Sequence, residues 1–240
     1  MHHASPETPS DHHNTPSGVF AGPIYHVFPL GLLGAPRTQP PDAEPVPPDD
    51  PRNIRAVADW IPHLTHMEVE AVLFGPIFSA ESHGYDTVDL TRLDPRLGTN
   101  EDFVELSAQL HHAGISVLLD AVLNHVGRGF FAFQDVLEHR DASVYRNWFS
   151  NLRFDRPGPA GDGVDYDTWD GHGELVKLNL SNPEARRSIV DVVTQWIHEF
   201  DIDGLRLDAA DVIDPSLWPE LREVVNTHYR GRRSFGRGRF

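Results

Sequence analysis

Four short apolar runs, at residues 24–30, 71–74, 116–120 and 202–207, are separated by stretches in which apolar residues recur at helical spacing. A helix between two strands carries the chain back over the sheet, so successive strands run parallel and the crossovers are right-handed. Parallel strands are covered on both faces and read as unbroken apolar segments. Ala71-Val72-Leu73-Phe74 and Val117-Leu118-Leu119 do so. The pattern predicts an α/β fold in which functional side chains gather beyond the strand C-termini. Alternation alone does not separate a closed barrel from an open doubly wound sheet. No Gly-x-Gly-x-x-Gly or P-loop follows any strand, which disfavours nucleotide binding.

The connecting stretches carry their own signals. Residues 1–19 lack periodicity and are expected to form a disordered tail. The run 24–30 is expected to be a strand, closed by proline and glycine. Seven prolines in residues 36–51 predict a stiff, exposed loop without helix or central strand. From Asn53 a helical stripe follows through Ile54, Val57, Ile61 and Leu64. Thr99-Asn100-Glu101-Asp102 opens a second helix, which Gly114 stops. Residues 126–173 form an aromatic-rich excursion read as an inserted subdomain, helical around 131–149. Asn182-Pro183-Glu184 starts a strong helix that delivers the chain to the last strand.

Composition narrows the partners. A net charge of −16 over 240 residues argues against nucleic acid or an anionic membrane as a partner. Cysteine is absent, which removes disulfides and thiolate metal sites. No apolar run approaches the roughly 20 residues that span a bilayer, and no signal peptide is read at the start, so a cytoplasmic protein is expected.

Chemistry-bearing residues cluster where strands end. His83-Gly84-Tyr85-Asp86 follows the second strand, Asp120 with Asn124-His125 ends the third, and Arg206 with Asp208 ends the fourth. In an extended strand Arg206 and Asp208 project together, while Leu205 and Leu207 pack on the other side. A fixed guanidinium favours the charged form of a neighbouring carboxylate, and a braced carboxylate can act as a nucleophile. The same pair also suits a buried structural ion pair.

Asp120-x-x-x-Asn124-His125 and Gly204-x-Arg206-x-Asp208 resemble the first two signature regions of the α-amylase family of glycoside hydrolases. The resemblance extends to His83-Gly84-Tyr85-Asp86, to residues 94–103 and to Leu178-Asn179, in the expected order. It implies a TIM (β/α)8-type barrel, of which about the first four βα units are present, with the inserted subdomain after the third strand. It implies retaining hydrolysis of α-glucosidic bonds in starch-like or maltooligosaccharide substrates. Asp208 would be the nucleophile and Arg206 would orient it. Tyr85 would stack on the sugar ring, His125 would bond its hydroxyls, and Asp120 and His83 would complete the substrate site. Asn124 matches a position that binds structural calcium in many relatives, and no other cofactor is implied. Tyr166, Trp169 and Phe130 are expected near the mouth as further aromatic faces.

The sequence also departs from the family. Asp211 and Val212 stand where lysine and histidine are common, removing a cation from the leaving-group side. Residues 175–179 match neither extreme of a segment that sorts the family into subgroups. In the family the acid/base glutamate follows the fifth strand. Glu220 and Glu223 come too early and fall in a helix. From Tyr229 arginine and glycine dominate, so residues 229–240 are read as a non-family tail produced by a frameshift or premature stop. The half-barrel, residues 20–228, is then expected to be inactive alone. Two other readings stand beside it: a non-catalytic carbohydrate-binding or interaction protein, and an α-glucan transglycosylase, which would use the same intermediate.

Overall fold

The computed structural model describes residues 20, 22–40 and 42–233, with side chains through His228. The expected tail at 1–19 and residues 234–240 of the Arg/Gly-rich stretch lie outside the described residues. The elements in order are β1 (Ile24–Val27), α1 (Pro29–Leu32), a 3-10 helix (Ile54–Trp60), α2 (Ile61–His66), β2 (Ala71–Phe74), β3 (Phe78–Ala80), β4 (Thr87–Leu93), α3 (Asn100–His112) and β5 (Ser116–Ala121). There follow β6 (His125–Gly127), α4 (Phe131–His139), β7 (Thr168–Trp169), β8 (His172–Lys177), α5 (Pro183–Phe200), β9 (Gly204–Leu207) and α6 (Leu217–Arg233).

The four predicted strands form one sheet in the order β1-β2-β5-β9, parallel throughout. The inner strands β2 and β5 are almost wholly buried, as unbroken apolar runs require. Helices α3 and α5 cover one face. There Phe103 meets Phe74 and Phe200 edge-on at 5.2 and 5.4 Å, and Phe78 stacks on Trp196 at 4.5 Å. Burying each such ring stabilises the fold by roughly 1.5–3 kcal/mol. Trp196 also donates its indole N–H to Leu90 O at 2.7 Å, so the largest core side chain leaves no buried donor unpaired.

Helix starts follow the capping chemistry. Thr99 and Asp102 form a reciprocal capping box on α3, and the Asn182 side chain accepts from Glu184 and Ala185 N–H at the start of α5. Four local expectations are corrected. The strand expected over 24–30 stops at Val27, because Pro29, with φ already set for a helix, opens α1. The stripe from Asn53 winds first as a 3-10 helix, since Pro62 has no N–H to give to Ala58, and Ile61 bonds Ala58 O instead. Helix α4 ends at His139, where Arg140 takes positive φ, and only two 3-10 turns follow before Phe149. Strands β3 and β4 form an antiparallel pair that the sequence did not show. Register shifts within it leave Thr87, Leu90 and Leu93 buried at intervals of three rather than two.

The proline-rich loop has no regular structure, as expected, but it is tied down rather than free. Gln39 N–H donates to Glu81 O and Val46 N–H to Pro95 O, both at 2.9 Å. Strand β6 pairs with β8 and β8 with β7, all antiparallel, which returns the chain from His125 to Lys177.

Candidate active site

Strand pairing builds the centre of the site. In the β5–β9 register Asp120 lies opposite Arg206, and Asp208 N–H donates to Ala121 O at 3.1 Å just beyond the end of β9. Arg206 Nη1 donates to both oxygens of Asp120, at 2.7 and 2.9 Å, and to Asp208 Oδ1 at 3.0 Å. One guanidinium nitrogen thus joins two carboxylates from neighbouring strands. Ala209 adopts the left-handed region, φ 49°, turning the chain away immediately after Asp208.

Tyr85 reaches the same group from the loop between β3 and β4, its hydroxyl donating to Asp120 Oδ2 at 3.2 Å. Burial and the Asp120 charge push the phenol up to about 12, so it remains a hydrogen-bond donor at neutral pH. Burial pushes Asp120 itself up, against the opposing pull of Arg206. His83 stands exposed at the rim, its Nδ1 accepting from Tyr85 N–H at 3.2 Å. Gly127 explains how β6 can pass beside this loop: a Cβ there would lie 2.4 Å from Asp86 O.

His125 is the deeply buried member, 1% exposed. Asn124 Nδ2 lies 3.3 Å from its Nδ1. With that nitrogen accepting, the neutral ring carries its proton on Nε2. Burial lowers the ring to about 4, although the Asp208 and Asp86 charges pull the other way. Nε2 is buried and finds no hydrogen-bond partner among the described residues. An orphaned buried donor costs about 1–3 kcal/mol, which a ligand acceptor would recover. Trp169 lies 5.7 Å from the His125 ring and 5.8 Å from His172, stacked with the latter.

The structure therefore brings together Tyr85, Asp120, Arg206 and Asp208, sets His125 within electrostatic reach of Asp208, and leaves His83 at the edge. Two of the aromatic faces expected at the mouth are elsewhere. Phe130 and Tyr166 are each only 4% exposed, and Tyr166 packs on Phe133 at 4.9 Å inside the inserted segment. Trp169 keeps part of its surface. Among the described residues no group of three or more His, Cys, Asp or Glu side chains is placed to hold a metal ion. The carboxylate-rich set that calcium takes is not assembled around Asn124 by those residues, and its amide is turned to His125. Sequence reading treated Asn124 as a metal ligand and missed its contact with the histidine ring. Adjacency in the chain was the available signal.

Residues 49–232 match the family model for the α-amylase catalytic domain. The chain belongs to the α-amylase family. Over 210 residues it is 39% identical to a cyclomaltodextrinase of Geobacillus thermopakistaniensis, covering 84% of this chain and 35% of that protein. Over 227 residues it is 35% identical to an intracellular maltogenic amylase of Bacillus subtilis, covering 91% and 38%. Among solved structures, a ligand-free cyclic alpha-maltosyl-(1-->6)-maltose hydrolase from Arthrobacter globiformis superimposes with a TM-score of 0.72. It is 36% identical, over 85% of this chain and 48% of that one. This α-amylase family chain spans about a third of the length of the curated relatives it matches. The site described above lies wholly inside the matched segment. No helix among the described residues is long and apolar enough to cross a membrane.

Proposed function

We propose that the chain carries the nucleophile side of a site for retaining hydrolysis of α-glucosidic bonds in maltooligosaccharides or starch-like glucans, and that its parallel sheet belongs to a TIM barrel. The observation that carries this reading is the buried, partnerless Nε2 of His125 beside the Asp120–Arg206–Asp208 group. Such a donor suits a sugar hydroxyl, and the faces of Tyr85 and Trp169 suit the C–H surface of a pyranose ring.

In this reading Asp208 attacks the anomeric carbon and forms a glycosyl ester. Arg206 keeps the attacking oxygen in place by bonding Asp208 and Asp120 at once. Tyr85 and Asp120 fix each other, so the ring floor does not move as charge develops. Water then releases the sugar; a second sugar hydroxyl in its place would give transglycosylation. Retention requires another carboxyl about 5 Å away to protonate the leaving oxygen. Asp120 is engaged by Arg206 and Tyr85, Glu220 pairs with Arg186, and Glu223 lies on α6. The described residues thus supply the nucleophile and no free acid, which favours a second reading for the 240-residue chain itself, saccharide binding without turnover. Neither reading requires a metal or organic cofactor, and neither invokes nucleic acid or membrane. Both fit an intracellular location, as in the name of the Bacillus subtilis relative.

The test is calorimetric titration of the purified chain with maltotriose, alongside a reducing-sugar assay. Saturable binding that is lost in His125→Leu supports the reading. Absence of binding by a folded chain overturns it, and release of sugar abolished by Asp208→Asn would overturn the account of the missing acid.

A further inference from the structure

The loop that presents Tyr85 is held from below by a buried guanidinium that touches none of the groups assigned to the site. Arg96 is 3% exposed. Its Nε and Nη2 donate to the two oxygens of Asp94, at 2.8 and 2.6 Å. The remaining bonds all go to backbone carbonyls. Nη2 reaches Ala80 O at 3.3 Å, and Nη1 reaches Ser82 O, Pro36 O and Arg37 O at 2.7, 3.0 and 3.4 Å. These acceptors lie on separate segments: the end of β3, the start of the Tyr85 loop, and the proline-rich loop.

From Ser82 the connection continues to the site. The Ser82 hydroxyl donates to Asp86 Oδ2 at 2.6 Å, and Asp86 Oδ1 accepts from Gly84 N–H at 3.2 Å. Thr87 closes the loop from the other side by donating to Gly84 O at 3.1 Å. Gly84 has φ +93°, so the turn before Tyr85 is fixed in a conformation that other residues rarely adopt. Asp86 is itself buried. A loop closed on itself in this way can still tilt as a unit. What fixes its tilt is the bond from Arg96 to Ser82 O and the anchorage of the same guanidinium on Asp94.

We propose that Arg96 is a positioning residue for the candidate site: seated on Asp94, it sets the 81–86 loop so that the Tyr85 hydroxyl meets Asp120, and it makes residues 36–37 of the proline-rich loop part of that brace. A lysine has one nitrogen and three donors and cannot serve Asp94, Ala80, Ser82 and Pro36 together; the planar fork with five donors can. The consequence for substrate rests on the saccharide reading above, whereas the consequence for Tyr85 does not.

The experiment uses the full chain labelled with 13C-tyrosine. Of its five tyrosines, Tyr85 is assigned by its disappearance in Tyr85→Phe. The main variant is Asp94→Asn with Arg96→Gln, which removes the guanidinium without stranding a buried charge. Arg96→Lys is the conservative variant. Asp102→Asn is the control, because Asp102 is an equally buried carboxylate paired with Arg55 on α3, away from the loop.

The Tyr85 ring resonance is expected to move towards that of a solvated phenol in the double variant, partway in Arg96→Lys, and not in Asp102→Asn. Affinity for maltotriose is expected to fall about tenfold in the double variant only, the scale of loss that a small misplacement of a binding group produces. An unmoved Tyr85 resonance in the double variant overturns the proposal, as does an equal movement in Asp102→Asn. If the wild-type chain binds no maltotriose while the resonance moves as expected, positioning stands and the saccharide reading falls.

Discussion

Arg96 and Arg206 each lie two residues from an aspartate partner, Asp94 and Asp208, yet the fold uses the two pairs in opposite ways. The Arg96 and Asp94 side chains are 2% and 0% exposed, and every bond they make ends on this chain. The Arg206 side chain is 47% exposed and that of Asp208 14%, with Asp120 beneath them at 1%. The first pair is a saturated joint between loops. The second is closed below and open above, which is where a sugar can enter. Identical spacing in sequence therefore carries no information about role; the number of donors left facing outward does.

Breaking the saturated joint should have the largest effect. Arg96→Gln leaves Asp94 charged and buried without its partner, and the expected loss is about 3–5 kcal/mol in denaturant unfolding. A loss below about 1 kcal/mol would mean that the joint is not closed to water. Next comes the pH dependence of the open side. His125 lies at about 4 in the folded chain, below its ordinary value near 6.5, so between these limits the unfolded chain binds the additional proton. The stability tied to the neutral ring is complete above about pH 6.5 and falls by up to about 3 kcal/mol as the pH drops to 4. Unfolding curves measured from pH 7 to pH 4 should show this slope, and His125→Gln should flatten it.

Arg206→Lys sharpens the comparison further. A single ammonium replaces the nitrogen that joined both carboxylates, and the expected cost is about 1–2 kcal/mol of stability with a larger loss of saccharide affinity. At Arg96 the same substitution should cost more stability, because five hydrogen-bond acceptors on four segments lose their donor there. Trp169→Ala should be smallest, at about 1 kcal/mol in maltotriose binding and less in folding.

Much of this was legible in the sequence, and the parts that were not share a cause. The parallel sheet follows from unbroken apolar strands separated by capped helices, and Asp120, Arg206, Asp208 and Tyr85 were found because each ends or follows such a strand. The β3–β4 pair escaped because its bulges replace the two-residue period with intervals of three. Phe130 and Tyr166 were misplaced because an aromatic side chain reads alike whether it lines a mouth or fills a core. Arg96 was visible only as part of a family-like run; its bonds go to backbone carbonyls, which sequence does not register. The contact of Asn124 with His125 was hidden by the resemblance itself, which directed attention to a metal.

The central claim is that Asp208 is a nucleophile held ready by Arg206, and it can be tested without the acid that hydrolysis needs. A glycosyl fluoride expels fluoride without protonation, so Asp208 alone can displace it and form the glycosyl ester. The measurement is the intact mass of the chain after incubation with 5-fluoro-α-D-glucosyl fluoride, followed by peptide mapping. The account predicts a single glycosyl adduct on the peptide containing Asp208, absent in Asp208→Asn. A folded chain that gains no adduct, or an adduct that survives Asp208→Asn, would contradict it.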